Sequence, residues 1–285
     1  MDWRGRRESS NIEDRRGRGG GGMVRVGGAG GIGVLAVVLI GMFFGVDLTP
    51  LLNGGGGGTQ TQTQAPAGPN SIDDQSEQFV AVVLAETEDV WGSIFKASNL
   101  TYHQPRLVLF SGVTRSGCGA AQSAMGPFYC PLDKTVYLDT DFFRVMEQQL
   151  GSRGEFARAY VISHEVGHHV QDELGVLEQT NNIRQRASEA QSNAISVQVE
   201  LQADCYAGVW ANAARDRLKL TDDDIRSALD TAARIGDDAL QQKSQGVVVP
   251  DSFTHGSSEQ RQRWFYEGYR SGNPDQCDTF NAQNL

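Results

Sequence analysis

Apolar positions along the chain form three patterns. The first is an unbroken run, residues 26–46, reading VGGAGGIGVLAVVLIGMFFGV without a single charge. That is about the length that crosses a bilayer core and predicts a transmembrane helix. The second is helical spacing. Phe79, Val80, Val83, Leu84, Val90, Trp91, Ile94 and Phe95 recur every three or four residues and predict an amphipathic helix. Residues 156–174 and 181–218 predict two more helices, both strongly apolar. The third pattern is strand-like. Residues 106–113, RLVLFSGV, read as a strand, and residues 127–139, PFYCPLDKTVYLD, as a hairpin turning at Leu132-Asp133-Lys134.

Caps place the remaining helices. Thr140 or Asp141 starts a short helix over 141–150. Thr221, with Asp224 three residues on, starts one running to about Lys243. The last begins near Ser257 and stops before Gly272, a suitable residue just past a helix end. Residues 53–71, NGGGGGTQTQTQAPAGPNS, hold no material for a core and read as a flexible linker. The expected organisation is a basic head over 1–25 without stable structure, a transmembrane helix over 26–46, a linker over 47–71 and one domain over 72–285. The fold class expected is helix-rich α+β with a small sheet, preceded by the membrane helix.

Charge changes this picture in one respect. Seven arginines stand before residue 26 against four acids, and no Lys or Arg follows until Lys96. The net charge of −10 argues against a nucleic-acid partner, since the folded part would repel phosphate. Arginines on the N-terminal side of the apolar run place the head in the cytoplasm and the domain outside the inner or plasma membrane, by the positive-inside rule. A signal peptide would have a shorter apolar core and a small-residue cleavage site. Seven glycines in 26–46 speak against a buried soluble helix. All four cysteines, Cys118, Cys130, Cys205 and Cys277, follow the run, and an even number in an exported domain suits two disulfides. Cys118 and Cys130 could close a short loop, which would leave Cys205 for Cys277; spacing alone does not fix the pairing.

Chemistry concentrates in two helices. His164-Glu165-Val166-Gly167-His168 is an HExxH motif. Residues i and i+4 share a helix face, so both imidazoles can reach one metal ion, and Glu165 beside them can act as base on a water. A satisfied pair of core histidines is the bland alternative. A catalytic zinc site has three protein ligands and one open position. The stretch 194–214, AISVQVELQADCYAGVWANAA, carries only two charges, Glu200 and Asp204, one turn apart. Two carboxylates in such a helix need a cation or donors, unless they simply face solvent. Glu200 is the candidate third ligand, and Asp204 the acceptor for the free N–H of a ligand histidine.

HEVGHH followed by ELQADCYAGVW resembles the neutral zinc metallopeptidase family of the YpfJ type. The likeness extends to RRESSNIEDRRG, to SGCG with GPFYCP, and to FTHGSSEQR. The catalytic part is also similar to the gluzincin membrane proteases, which combine HExxH, a later ExxxD helix and a histidine near the end. The resemblance implies a zincin-like peptidase domain with His164, His168 and Glu200 on Zn2+, Glu165 as base and Asp204 orienting a ligand. It departs at Thr254-His255-Gly256, where gluzincins have proline after the histidine.

His255 is then either a catalytic donor to the oxyanion, alone or with Arg261, or a loop histidine bonded to a helix start. His169 falls on a different helix face from the ligands and reads as packing or as a group supporting the ligands from behind. Gly167 would let another backbone approach behind the site. The hairpin would offer an edge strand to an extended peptide. The expected function is a membrane-anchored zinc endopeptidase acting on peptides or proteins. The competing readings are a catalytically silent scaffold of the same fold and a zinc hydrolase of non-peptide amides.

Overall fold

The computed structural model describes residues 1–16, 74–122 and 126–285. The linker and the apolar run over 26–46 lie outside the described residues, and among those described no helix is long and apolar enough to cross a membrane.

The domain is helix-rich α+β with small sheets. Strand β1 is Ile12–Asp14, helix α1 is Gln75–Ala97 and strand β2 is Arg106–Phe110. A two-stranded hairpin follows, β3 Val113–Ser116 and β4 Gly119–Gln122. Strands β5 Phe128–Cys130 and β6 Thr135–Asp139 form the expected second hairpin. The main sheet has the order β1-β2-β6-β5. β1, β2 and β6 are parallel, and β5 is the antiparallel edge strand beside β6. The helices are α2 Thr140–Gln148, α3 Glu155–Glu173, α4 Val176–Arg184, α5 Glu189–Ala214, α6 Asp222–Arg234, α7 Asp237–Gln245 and α8 Ser258–Ser271.

The differences from expectation have local causes. The long helix over 181–218 is two helices, because Ser188 and Gln191 form a capping box that starts α5 afresh. The helix after Thr221 stops at Ile235, and Gly236 opens α7. Gly236 is required there, since a Cβ would collide with the backbone of Ser258 at the start of α8. The cap of α2 is Asp139, whose carboxylate accepts from the Asp141 N–H.

The head is the larger correction. Residues 1–16 are not a separate basic segment; they pack on the domain. Trp3 and Ile12 are buried in the main core, and Trp3 stands edge-on to Phe79 of α1. β1 adds a parallel strand to β2. The arginines pair with α1: Arg6 reaches Glu86 at 3.1 Å, and Arg7 reaches Glu88 at 3.1 Å and Asp89 at 2.8 Å. They are structural counter-charges as well as a charge signal.

α3 and α5 cross at the centre of the core. At the crossing a Cβ on Gly167 would lie 3.0 Å from the Ala203 carbonyl oxygen, so the glycine permits the approach. α5 also crosses α8 closely, at Gly208 and Gly268. Disulfides join Cys118 to Cys130 and Cys205 to Cys277. The first fastens the β3–β4 turn to the edge strand, and the second ties α5 to the C-terminal segment.

Candidate metal centre

α3 carries His164 and His168, one turn apart on the side that meets Glu200 of α5, with Glu165 beside them. α5 carries Glu200 and Asp204. His164, His168 and Glu200 converge so that one ligand atom from each lies within 4.8 Å of the others. Nε2 of His164 is 3.1 Å from one Glu200 oxygen, and Nε2 of His168 is 3.4 Å from the other. The site sits at the mouth of the core, with His164 and Glu165 each 7% exposed.

Both imidazoles are held from behind. His164 Nδ1 donates to Asp204 Oδ1 at 2.8 Å. His168 Nδ1 faces Gln171 Oε1 at 2.8 Å, and the Gln171 amide donates to the Val199 carbonyl and to Gln202. A ring nitrogen that donates to a fixed oxygen leaves the other nitrogen's lone pair for a metal. Gln171 was not anticipated from the sequence. Its signal is its position three residues after His168, on the same helix face.

Asp204 is fully buried and receives four hydrogen bonds. Besides His164, Tyr160 Oη donates at 2.5 Å, and Arg261 donates through Nε at 2.8 Å and Nη2 at 3.0 Å. Burial alone would raise the Asp204 pKa; the Arg261 charge and His164 instead hold it at about 2. Burial raises Glu165 above the ordinary carboxylate range, only partly opposed by the two ligand histidines. Burial would lower His164, but Asp204 and Glu200 override it and raise the group to about 10. Glu200 is pressed the other way: burial raises it, and the charges of His168 and His255 with the bond from His164 bring it well below its ordinary value.

These shifts have two causes: burial raises Glu165, while mutual pairing of the carboxylates with the histidines and Arg261 lowers Asp204 and Glu200 and raises His164. Two imidazole nitrogens and a carboxylate, brought within 4.8 Å of one another, fit a zinc ion with an open fourth position. The donor set is not that of Mg2+ or Ca2+, which take oxygen ligands. Glu200 does not merely face solvent, since its two oxygens lie 3.1 and 3.4 Å from ring nitrogens of His164 and His168.

Arg261 turns to Asp204, where the sequence suggests a companion for His255. It is buried, donating from Nε and Nη2 to Asp204, from Nη2 to Tyr160 Oη and from Nη1 to the Ile235 carbonyl. His255 stands on the loop before α8, near enough for its charge to lower the Glu200 pKa. The buried Asp237 carboxylate accepts from the backbone N–H of Thr254, His255 and Gly256 at 2.8, 2.7 and 3.0 Å, fixing the loop. His255 Nδ1 lies 2.9 Å from Thr254 Oγ1. Of the two roles expected for His169, packing is the one seen: its Nε2 meets the His103 carbonyl, and its Nδ1 meets Tyr129 Oη on β5.

A family model described as "Putative neutral zinc metallopeptidase" matches residues 1–280. The chain is 50% identical over 286 residues to "Uncharacterized protein YpfJ" of Escherichia coli K12, covering 98% of this chain and 99% of that one. It is 45% identical over 221 residues to an uncharacterized Mycobacterium tuberculosis protein, Rv2575, covering 74% of each. No solved structure matches.

Proposed function

From the premise that this chain belongs to the putative neutral zinc metallopeptidase family, we propose that it is a zinc endopeptidase whose general base is Glu165. The observation that carries the reading is the convergence of His164, His168 and Glu200, with each histidine fixed by its own acceptor. Zinc is the cofactor, and when bound it supplies a Lewis acid that polarises a carbonyl and makes water acidic near neutral pH.

The chain's own residues do the rest. Glu165, one position past His164, takes the proton of the attacking water and passes it to the leaving amine. Burial raises its pKa, which makes the carboxylate a better proton acceptor for that double duty. Asp204, braced by Arg261 and Tyr160, holds His164 in one tautomer and stabilises charge on it. His255 is placed to donate to the developing oxyanion, its loop made rigid by Asp237. The antiparallel edge strand β5 offers backbone groups to an extended peptide, which favours peptides over other amides.

The test uses Glu165→Gln. The variant should bind zinc at wild-type stoichiometry and lose about 10²–10⁴-fold in peptide cleavage. Protein N-termini released in cells carrying each form would then report substrates. Equal cleavage of a peptide library by purified wild type and Glu165→Gln would exclude this base. Zinc binding with no cleavage by either form would favour the silent scaffold.

A further inference from the structure

The C-terminal segment docks behind the metal centre. Gln198, Gln202 and Cys205 fall at i, i+4 and i+7 of α5, so helical spacing puts them on one face, apart from Glu200 and Asp204. Cys277 is bonded to Cys205, and the Thr279 hydroxyl donates to the Gln198 carbonyl at 2.7 Å. Both Cys277 and Thr279 are buried.

Gln202 links this segment to a ligand. Its Nε2 donates to the Cys277 carbonyl at 3.0 Å, an atom that can only accept. Its Oε1 is therefore the atom turned to Gln171, and it accepts from Gln171 Nε2 at 3.0 Å. Gln171 Nε2 also donates to the Val199 carbonyl at 2.8 Å. With both its N–H groups used, Gln171 presents Oε1 to His168 Nδ1 at 2.8 Å. An amide oxygen cannot donate, so Nδ1 carries the proton and Nε2 keeps the lone pair that a metal needs. Two backbone carbonyls, of Val199 and Cys277, thus set the direction of every bond in the chain.

We propose that Gln202 is a positioning residue for the zinc ligand His168: it anchors the Gln171 amide to the disulfide-held C-terminal segment and so fixes the tautomer that binds metal. The inference rests on the zinc reading of the site and does not require hydrolysis. Gln171 and Gln202 are both buried. With an apolar side chain at 202, one Gln171 N–H is left buried without an acceptor. Only the Val199 carbonyl then opposes a turn of the amide that would set N–H groups against His168 Nδ1.

The test measures the zinc affinity of the full chain by competition with a chromophoric chelator. Gln202→Met should weaken zinc binding about 10-fold, and Gln171→Met by as much or more, within the roughly 10–100-fold range usual for partners behind a metal ligand. Should Gln202→Met fail to fold, Gln202→Asn, an amide too short to span both partners, takes its place with the same expected loss. In the double variant the Gln202 substitution should add nothing to Gln171→Met, because its effect passes through that amide. Gln198→Met removes a contact to the Thr279 carbonyl on the same segment and should keep wild-type affinity. Unchanged affinity in the Gln202 variant, additive losses in the double variant, or an equal loss in Gln198→Met would each overturn the inference and leave the zinc site standing. A wild-type chain that binds no zinc would overturn the zinc reading itself, and this inference with it.

Discussion

The metal centre and the N-terminal segment both bury charged side chains, and they do it by opposite routes. At the metal centre the partners come from helical spacing: His164, His168 and Gln171 share a face of α3, and Glu200 and Asp204 share a face of α5. In the N-terminal segment the partners are far apart in sequence. Glu88 is nearly unexposed, and its carboxylate accepts from Arg7, Ser9 and Asn11. Glu86 receives both Arg6 and Arg217. The first arrangement can be read from one helix at a time. The second exists only once the fold has closed. A basic stretch beside an apolar run is thus ambiguous, because counter-charges for a domain look the same as a membrane flank.

The comparison predicts that damage to the two regions will separate. The largest effect is expected at the metal centre. Glu200→Ala should remove most zinc and with it activity, since a catalytic site has only three protein ligands. Elemental analysis of the purified variant measures this. Full zinc occupancy would move the third ligand elsewhere and break the spacing argument.

A smaller effect is expected behind the ligands. Arg261→Met leaves Asp204 buried without its cation, which should cost about 3–5 kcal/mol in a urea titration. The pH dependence carries the sign. The folded pKa of Asp204, about 2, is below its ordinary 3.8, so its contribution is present above that value and lost as pH falls toward 2. Metal-stripped wild type should lose stability through that window. Arg261→Met should already have lost this contribution at higher pH. An identical acid profile for the two proteins would mean the pair does not couple.

The third prediction tests the other region. Trp3→Ala removes a side chain 3% exposed and packed on Phe79, at a cost of about 3 kcal/mol. Zinc stoichiometry and kcat should stay at wild-type values at temperatures well below the melting point. A thermal melt unchanged by the substitution would show that the N-terminal segment adds nothing to the domain.

Much of the site was legible because its geometry is helical. A histidine four residues from another, and an acid four residues from another, must share a face whatever the fold around them. Gly167 was readable for the same reason, as a missing Cβ on that helix. The pairing of Arg261 with Asp204 was not foreseen because Asp204 lies on another helix, and nothing in the spacing reveals which charge an arginine will meet. Gln171 was overlooked because an amide in an apolar helix carries no chemistry until a ring nitrogen is placed beside it.

By itself the sequence determined the two ligand helices, the hairpin over β5 and β6, the caps at Thr221 and Ser257, and the residue types that suit zinc. Those features rest on contacts between residues a few positions apart, where backbone geometry leaves few choices. Only the tertiary structure decided that residues 1–16 complete the sheet, that β5 is its edge, that Cys205 joins Cys277, and that Arg261 braces Asp204. These join segments distant in the chain. Their partners are selected by which surfaces the core brings together, a choice that local periodicity does not encode.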